Sequence, residues 1–197
     1  MEKNKEEIPT FLIVILSICI VFIIIVAIGI AVFVNREPEV KEKRELGSNI
    51  TLNYSSDVNG LYIKGATPTT DQVGIKEDED GKYFDFSIDV KLDNAPSVEY
   101  EISVVKDKSK STIADSDIKI YLEKEKSGTY TKVFGPSKYT PLKKKTKLGS
   151  KPGSMVLTKT KKTNSSVDNY RLRVWLSDTS LVSGDYSIEI EVNAISK

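Results

Sequence analysis

An all-β fold, an antiparallel β-sandwich preceded by one N-terminal transmembrane α-helix, is what this sequence predicts. Three observations carry the prediction. Apolar and polar residues alternate with period two in run after run from Asn49 onward. Turn-forming residues separate those runs. Ahead of them, Phe11 to Val34 is an uncharged stretch in which 22 of 24 residues are apolar, Ser17 and Gly29 being the exceptions.

Residues 1–10 form a short N-terminal flank and residues 11–34 the spanning helix. Twenty-four helical residues reach about 36 Å, enough for a hydrocarbon core of about 30 Å. Ala27-x-Gly29 and Gly29-x-Ala31 resemble small-residue cleavage sites, but apolar residues continue to Val34, so an uncleaved signal-anchor is expected. Cys19 sits in mid-helix behind bulky Ile18 and reads as lipid-facing packing. The flanking charges leave orientation open. Lys3 and Lys5 precede the helix, while Arg36, Lys41, Lys43 and Arg44 follow it, interleaved with Glu37, Glu39, Glu42 and Glu45. Basic residues alone favour a cytoplasmic C-terminus. The composition of the large domain, rich in Thr, Ser, Asn and Lys without His or Cys, favours an extracellular one, and that is the expectation.

Residues 35–48 alternate charges and read as a solvated stalk, leaving 49–197 as the sandwich domain. Ile50, Leu52 and Tyr54, then Leu61 to Ile63, make opening strands. Tyr83 to Leu92 is the clearest strand, with Phe84, Phe86, Ile88, Val90 and Leu92 on one face and Asp85, Ser87, Asp89 and Lys91 on the other. Val98, Tyr100, Ile102 and Val104 repeat it, with Glu99, Glu101 and Ser103 on the solvent side. Ile118 to Leu122, Tyr170 to Leu176 and Ile188 to Val192 follow. Asp80-Gly81, Gly135-Pro136, Lys151-Pro152-Gly153 and Ser183-Gly184-Asp185 read as turns. Seven to nine strands without a long amphipathic helix fit a sandwich of jelly-roll or immunoglobulin-like type.

With no histidine, His-based triads and His general bases are excluded, and one Cys excludes an intrachain disulfide. No motif of catalytic spacing stands out, so no enzyme, cofactor or metal is expected. The acidic run Glu77 to Asp80 does not match a calcium loop: with Gly81 at position six, Lys76 and Ser87 fall at the first and last ligand positions.

Charge is segregated instead. Asp71 to Asp93 holds eight acids and three lysines, whereas Ser127 to Val167 holds ten lysines and no acid. Lys143 to Lys162 reads as a long flexible loop or hairpin tip, in which Lys143, Lys144, Lys145, Lys147, Lys159, Lys161 and Lys162 are candidate contacts for an anionic polymer or glycan. The absence of aromatic residues between Tyr139 and Tyr170 disfavours nucleic acid. Trp175, alone of its kind and on the face shared by Arg171 and Arg173, reads either as packing over an outer sheet face or, with those arginines, as a candidate interface.

Thr67-Pro68-Thr69-Thr70-Asp71-Gln72-Val73-Gly74 near the domain start and Tyr170-Arg171-Leu172-Arg173-Val174-Trp175-Leu176-Ser177-Asp178 near its end carry a resemblance. The chain resembles membrane-anchored β-sandwich surface proteins of Gram-positive gut-type bacteria and is similar, more distantly, to TasA/camelysin-type matrix proteins. The resemblance implies an extracellular jelly-roll-like sandwich without catalytic residues to carry over. Expected partners are therefore the lipid bilayer through residues 11–34, a second copy or another surface protein, and an anionic cell-wall polymer or glycan. The expected role is structural, adhesive or matrix-forming at the cell surface.

Overall fold

The computed structural model describes residues 42–45, 50–54, 59–76, 83–92 and 95–197, all within the compact unit Val40–Lys197. The apolar run 11–34 and the acidic turn around Asp80-Gly81 lie outside the described residues. Among those described, no helix is long and apolar enough to cross a membrane.

The described residues form eleven strands: β1 (Glu42–Glu45), β2 (Ile50–Tyr54), β3 (Gly60–Ala66), β4 (Pro68–Thr69), β5 (Tyr83–Val90), β6 (Val98–Lys106), β7 (Ile118–Lys126), β8 (Thr129–Lys138), β9 (Ser154–Lys162), β10 (Ser166–Ser177) and β11 (Gly184–Ser196). A one-turn helix, α1 (Asp71–Gly74), follows β4 and is capped by the Thr70 side chain. The larger sheet runs β1-β2-β5-β10-β7-β8, with β4 joined in parallel to the end of β10; the smaller runs β3-β11-β6-β9. All other pairings are antiparallel. β1 pairs Glu42 with Tyr54 and Glu45 with Thr51, so the sheet takes in four residues of the 35–48 segment.

The two sheets close on one core, which makes the domain an all-β sandwich. Period-two alternation sends Phe84, Phe86, Ile88 and Val90 of β5 and Tyr170, Leu172 and Val174 of β10 inward from the larger sheet. Tyr100, Ile102 and Val104 of β6 and Tyr186, Ile188 and Ile190 of β11 meet them from the smaller one. Phe86 stacks on Tyr170 with centroids 5.4 Å apart, an offset pair of the kind that adds to area burial.

Three strands lose their solvent face over at least four consecutive residues, β7 from Ile120 through Glu123 among them. In β6, Tyr100 through Val104 are buried without a break, and in β10 so are Leu172 through Ser177. Other parts of the same chain cover them. The expectation that Glu101 and Ser103 face solvent is therefore corrected, because the connection between β8 and β9 lies over them.

That connection is shorter than the sequence reading allows. Lys143 to Lys162 is not one loop: β9 begins at Ser154, where Met155 and Leu157 turn into the core. Gly135-Pro136, read as a turn, lies within β8, where the register against β7 shifts between Ile120 and Leu122. Gly135 has φ +80° there, and a Cβ would meet the Ile120 carbonyl oxygen at 2.2 Å, so only glycine fits.

Candidate functional site

The β8–β9 connection folds as a small hairpin. The Leu142 amide donates to the Ser154 carbonyl at 2.7 Å and the Gly153 amide to the Leu142 carbonyl at 2.9 Å. Nearer the tip, the Thr146 amide donates to the Ser150 carbonyl at 2.9 Å. The hairpin tip grips the outer face of the smaller sheet through one carboxylate. Glu101 Oε1 accepts from the Thr146 hydroxyl and from the Ser150 amide, the latter at 3.0 Å. Its other oxygen, Oε2, faces Lys159 Nζ at 3.2 Å, within ion-pair reach but without an aligned hydrogen bond. The Ser150 hydroxyl extends the contact to Ser103 at 3.1 Å and to Asn193 at 3.2 Å.

Glu101 is 0% exposed. Burial works against its charge, yet the hydrogen bonds from Ser150 and Thr146 and the Lys159 ammonium outweigh it and hold the carboxyl below its ordinary range. A buried carboxylate persists only when hydrogen-bonded and paired, so the hairpin and Glu101 depend on each other.

The structure divides the predicted lysines into groups. Lys143, Lys144, Lys145 and Lys147 are exposed on the hairpin, and Lys151 joins them from its return arm. None of these five has an ion-pair partner among the described residues. Lys159 and Lys161 are exposed on β9, where Lys159 is paired with Glu101. Lys162, at the end of β9, is drawn away: its Nζ lies 2.7 Å from Asp168.

Asp168 belongs to a polar cluster the sequence reading missed. It takes ion pairs from Lys124 of β7 at 2.8 Å and from Lys162 of β9, together with the Tyr100 hydroxyl at 2.6 Å. Tyr100 also meets the Tyr170 hydroxyl at 2.8 Å. Burial pushes the Tyr170 phenol up to about 12. Burial opposes the Asp168 charge too, but the two lysines and Tyr100 prevail and keep its carboxyl below the ordinary range. The cluster ties the larger sheet to the smaller one. Its sequence signal was parity: Asp168 stands two residues before Tyr170 and so faces the same side of β10.

The outer face of the larger sheet carries Arg171, Arg173 and Trp175. Arg171 grips Asp85 with two hydrogen bonds of 2.7 and 2.8 Å and lies between the rings of Tyr83, at 4.0 Å, and Tyr130, at 4.4 Å. Arg173 pairs with Glu123 at 2.9 Å and lies over Tyr83 at 5.5 Å. Trp175 donates its indole N–H to Asp71 at 3.2 Å, packs against Tyr121, and is covered by Gly74 of α1. Arg173 and Trp175 are only 5% and 4% exposed, so the chain itself covers them and the half-buried Arg171 is the accessible member of the three.

Among the described residues no group of three or more acidic or Cys side chains is placed to hold a metal ion. Asp115, in the turn before β7, is bound by Lys106 at 2.7 Å.

No family model matches this chain, and no curated protein matches it. Among solved structures it is similar to the PA14 domain of the antifreeze protein MpAFP, with 11% identity and a TM-score of 0.28. The match covers 72% of this chain, which spans 65% of that one. Likeness at this level bears on neither fold nor function.

Proposed function

We propose that this chain is a single-pass membrane protein displaying one non-catalytic sandwich at the cell surface, in a structural, adhesive or matrix role. The observation that carries the reading is the uncharged run Phe11 to Val34 placed ahead of an all-β domain. The large domain's composition, rich in Thr, Ser, Asn and Lys, supports the extracellular side. A non-catalytic role draws support from the buried carboxylates Glu101, Glu123 and Asp168, each tied to a lysine or arginine of the fold. The jelly-roll type is part of the same reading, supported by a chain that crosses repeatedly between the sheets, as from β2 to β3, β5 to β6 and β8 to β9. So is kinship with the membrane-anchored surface proteins and TasA/camelysin-type matrix subunits named above. Carbonate extraction of membranes from cells producing the full chain tests the anchor. Retention in the pellet is the expected result, and release into the supernatant would remove it.

A second reading is favoured by the five exposed hairpin lysines without ion-pair partners: the domain captures an anionic polymer. Replacing Lys143, Lys144, Lys145, Lys147 and Lys151 together with Gln is expected to abolish capture while leaving the fold intact. Unchanged capture would remove this reading.

A further inference from the structure

We infer that the outer face of the smaller sheet is a self-recognition surface, on which a second copy of this chain docks face to face about a two-fold axis. The inference goes beyond the two readings above and depends on neither the membrane anchor nor a captured polymer.

The face is built in two halves of opposite charge. One half is the β8–β9 hairpin, whose five exposed lysines form a ridge over β6. Glu101 clasps the tip of that ridge from below, and the tip ends against β11, where Gly149 and the Ser150 hydroxyl meet Asn193. The other half is β11 itself. Alternation turns Ile188, Ile190 and Val192 into the core and Glu189 and Glu191 outward, at the next two outward positions beyond Asn193. Both glutamates are half-buried, and among the described residues neither has an ion-pair partner. Lys110 senses the Glu189 charge but is itself committed to Asp107 at 3.0 Å. The clasp holds the hairpin backbone over β6, and its lysines make no pair with the glutamates beside it.

This layout is self-complementary. A two-fold axis along the border between the ridge and the glutamates, parallel to the strands, turns the face onto itself. It sets the lysines of each copy against Glu189 and Glu191 of the other, so that every contact occurs twice, as an isologous interface requires. A partner of uniform negative charge would engage the ridge and be repelled by the glutamates. The chain's net charge of +1 leaves little long-range repulsion between copies.

The same face carries apolar anchors. Tyr62 of β3 and Ile195 of β11 are 47% and 40% exposed there, on either side of the glutamates along the strand direction. The Tyr62 hydroxyl is fixed by Asp185 at 2.9 Å. Such side chains supply contact that exposed ion pairs alone do not. Four strands about 4.8 Å apart and the nine residues of β6 at about 3.4 Å each give a face of roughly 19 by 31 Å, on the order of 600 Å² per copy. That is the low end for a specific interface, so the dimer is weak and salt-sensitive.

The test follows the full chain by sedimentation velocity in detergent, with micelles in excess over protein. Isotope-labelled and unlabelled copies are also mixed and joined with a zero-length carbodiimide cross-linker. The expected result is a monomer–dimer equilibrium that shifts toward monomer as salt rises from about 0.01 M to about 0.15 M, where the screening length falls from about 30 to about 8 Å. Mixed-isotope peptides are expected to join a hairpin lysine to Glu189 or Glu191. Glu189→Lys with Glu191→Lys, or all five hairpin lysines replaced with Glu, raises the dissociation constant about tenfold or more, and mixing the two variants restores dimers. The milder pair Glu189→Gln and Glu191→Gln weakens the dimer several-fold. Thermal unfolding establishes that each variant keeps its fold. A dimer unchanged in all these variants is held elsewhere and overturns the inference. So does a chain that stays monomeric at every salt and concentration, even where it still takes up heparin or another polyanion. Oligomers that grow beyond two copies through the same cross-links overturn the two-fold arrangement.

Discussion

Single residues decide whether the interior polar groups of this sandwich stabilise or disrupt it. Asp168 is the clearest case, since three groups from both sheets converge on it. Asp168→Asn leaves Lys124 and Lys162 facing a neutral group in a buried setting, and the expected loss is about 3–5 kcal/mol in urea unfolding. Gly74→Ala tests a different contact. An added Cβ would lie 2.3 Å from the Trp175 ring, so overpacking of about 1–3 kcal/mol is expected. Because Trp175 is the only tryptophan, its emission reports both unfoldings directly.

Acid lability also belongs to this scale. Glu101 and Asp168 are both held below the ordinary carboxylate range in the folded chain, and Asp107, bound by Ser109 and Lys110, is held down to about 2. A lowered folded pKa means that protonation favours the unfolded chain. The stability these groups contribute is present in full above the unfolded carboxylate value of about 4 and is lost as pH falls through the folded values. Urea midpoints measured from pH 7 down to pH 2 are therefore expected to stay level to about pH 5 and then drop. Midpoints that rise on acidification would contradict this assignment.

At the scale of elements, the strands with strict alternation and the edge strand β3 were legible in the sequence, and the edge strands β1, β8 and β9 were not. β5, β6, β7, β10 and β11 each place a continuous apolar row on one face, which period-two reading detects. β8 and β9 are edges, each paired with one neighbour, and neither buries a full row along its length. Lys132 and Lys138 in one, and Lys159, Lys161 and Lys162 in the other, are the charges that edge strands carry against further pairing. Those same lysines made β9 read as loop. Parity also marked Glu101 for solvent, and nothing local could correct that, since its cover arrives from residues 142–154, more than forty positions away. The lysine set was visible as composition, but its division into exposed hairpin members and the paired Lys159 and Lys162 depends on strand register. The clasp carries its own prediction. The Ser150 amide, bonded to Glu101 and Thr146, is expected to exchange hydrogen far more slowly than the amides of Lys143 to Lys145, and Glu101→Gln is expected to erase the difference.

For the molecule as a whole, one core between two sheets gives a rigid frame whose charged hairpin is fixed from within. Such a frame suits display: the chain's buried polar groups hold it together, and its free lysines face outward. The central claim is that this frame stands outside the cell, held by residues 11–34. The most direct test is protease treatment of intact cells producing the full chain, followed by mass spectrometry of membrane-retained peptides. Digestion of the domain with an intact peptide from the Met1 side left in the membrane is the predicted result. Complete protection of the domain, or a mature N-terminus near Ile30 or Val32, would contradict it.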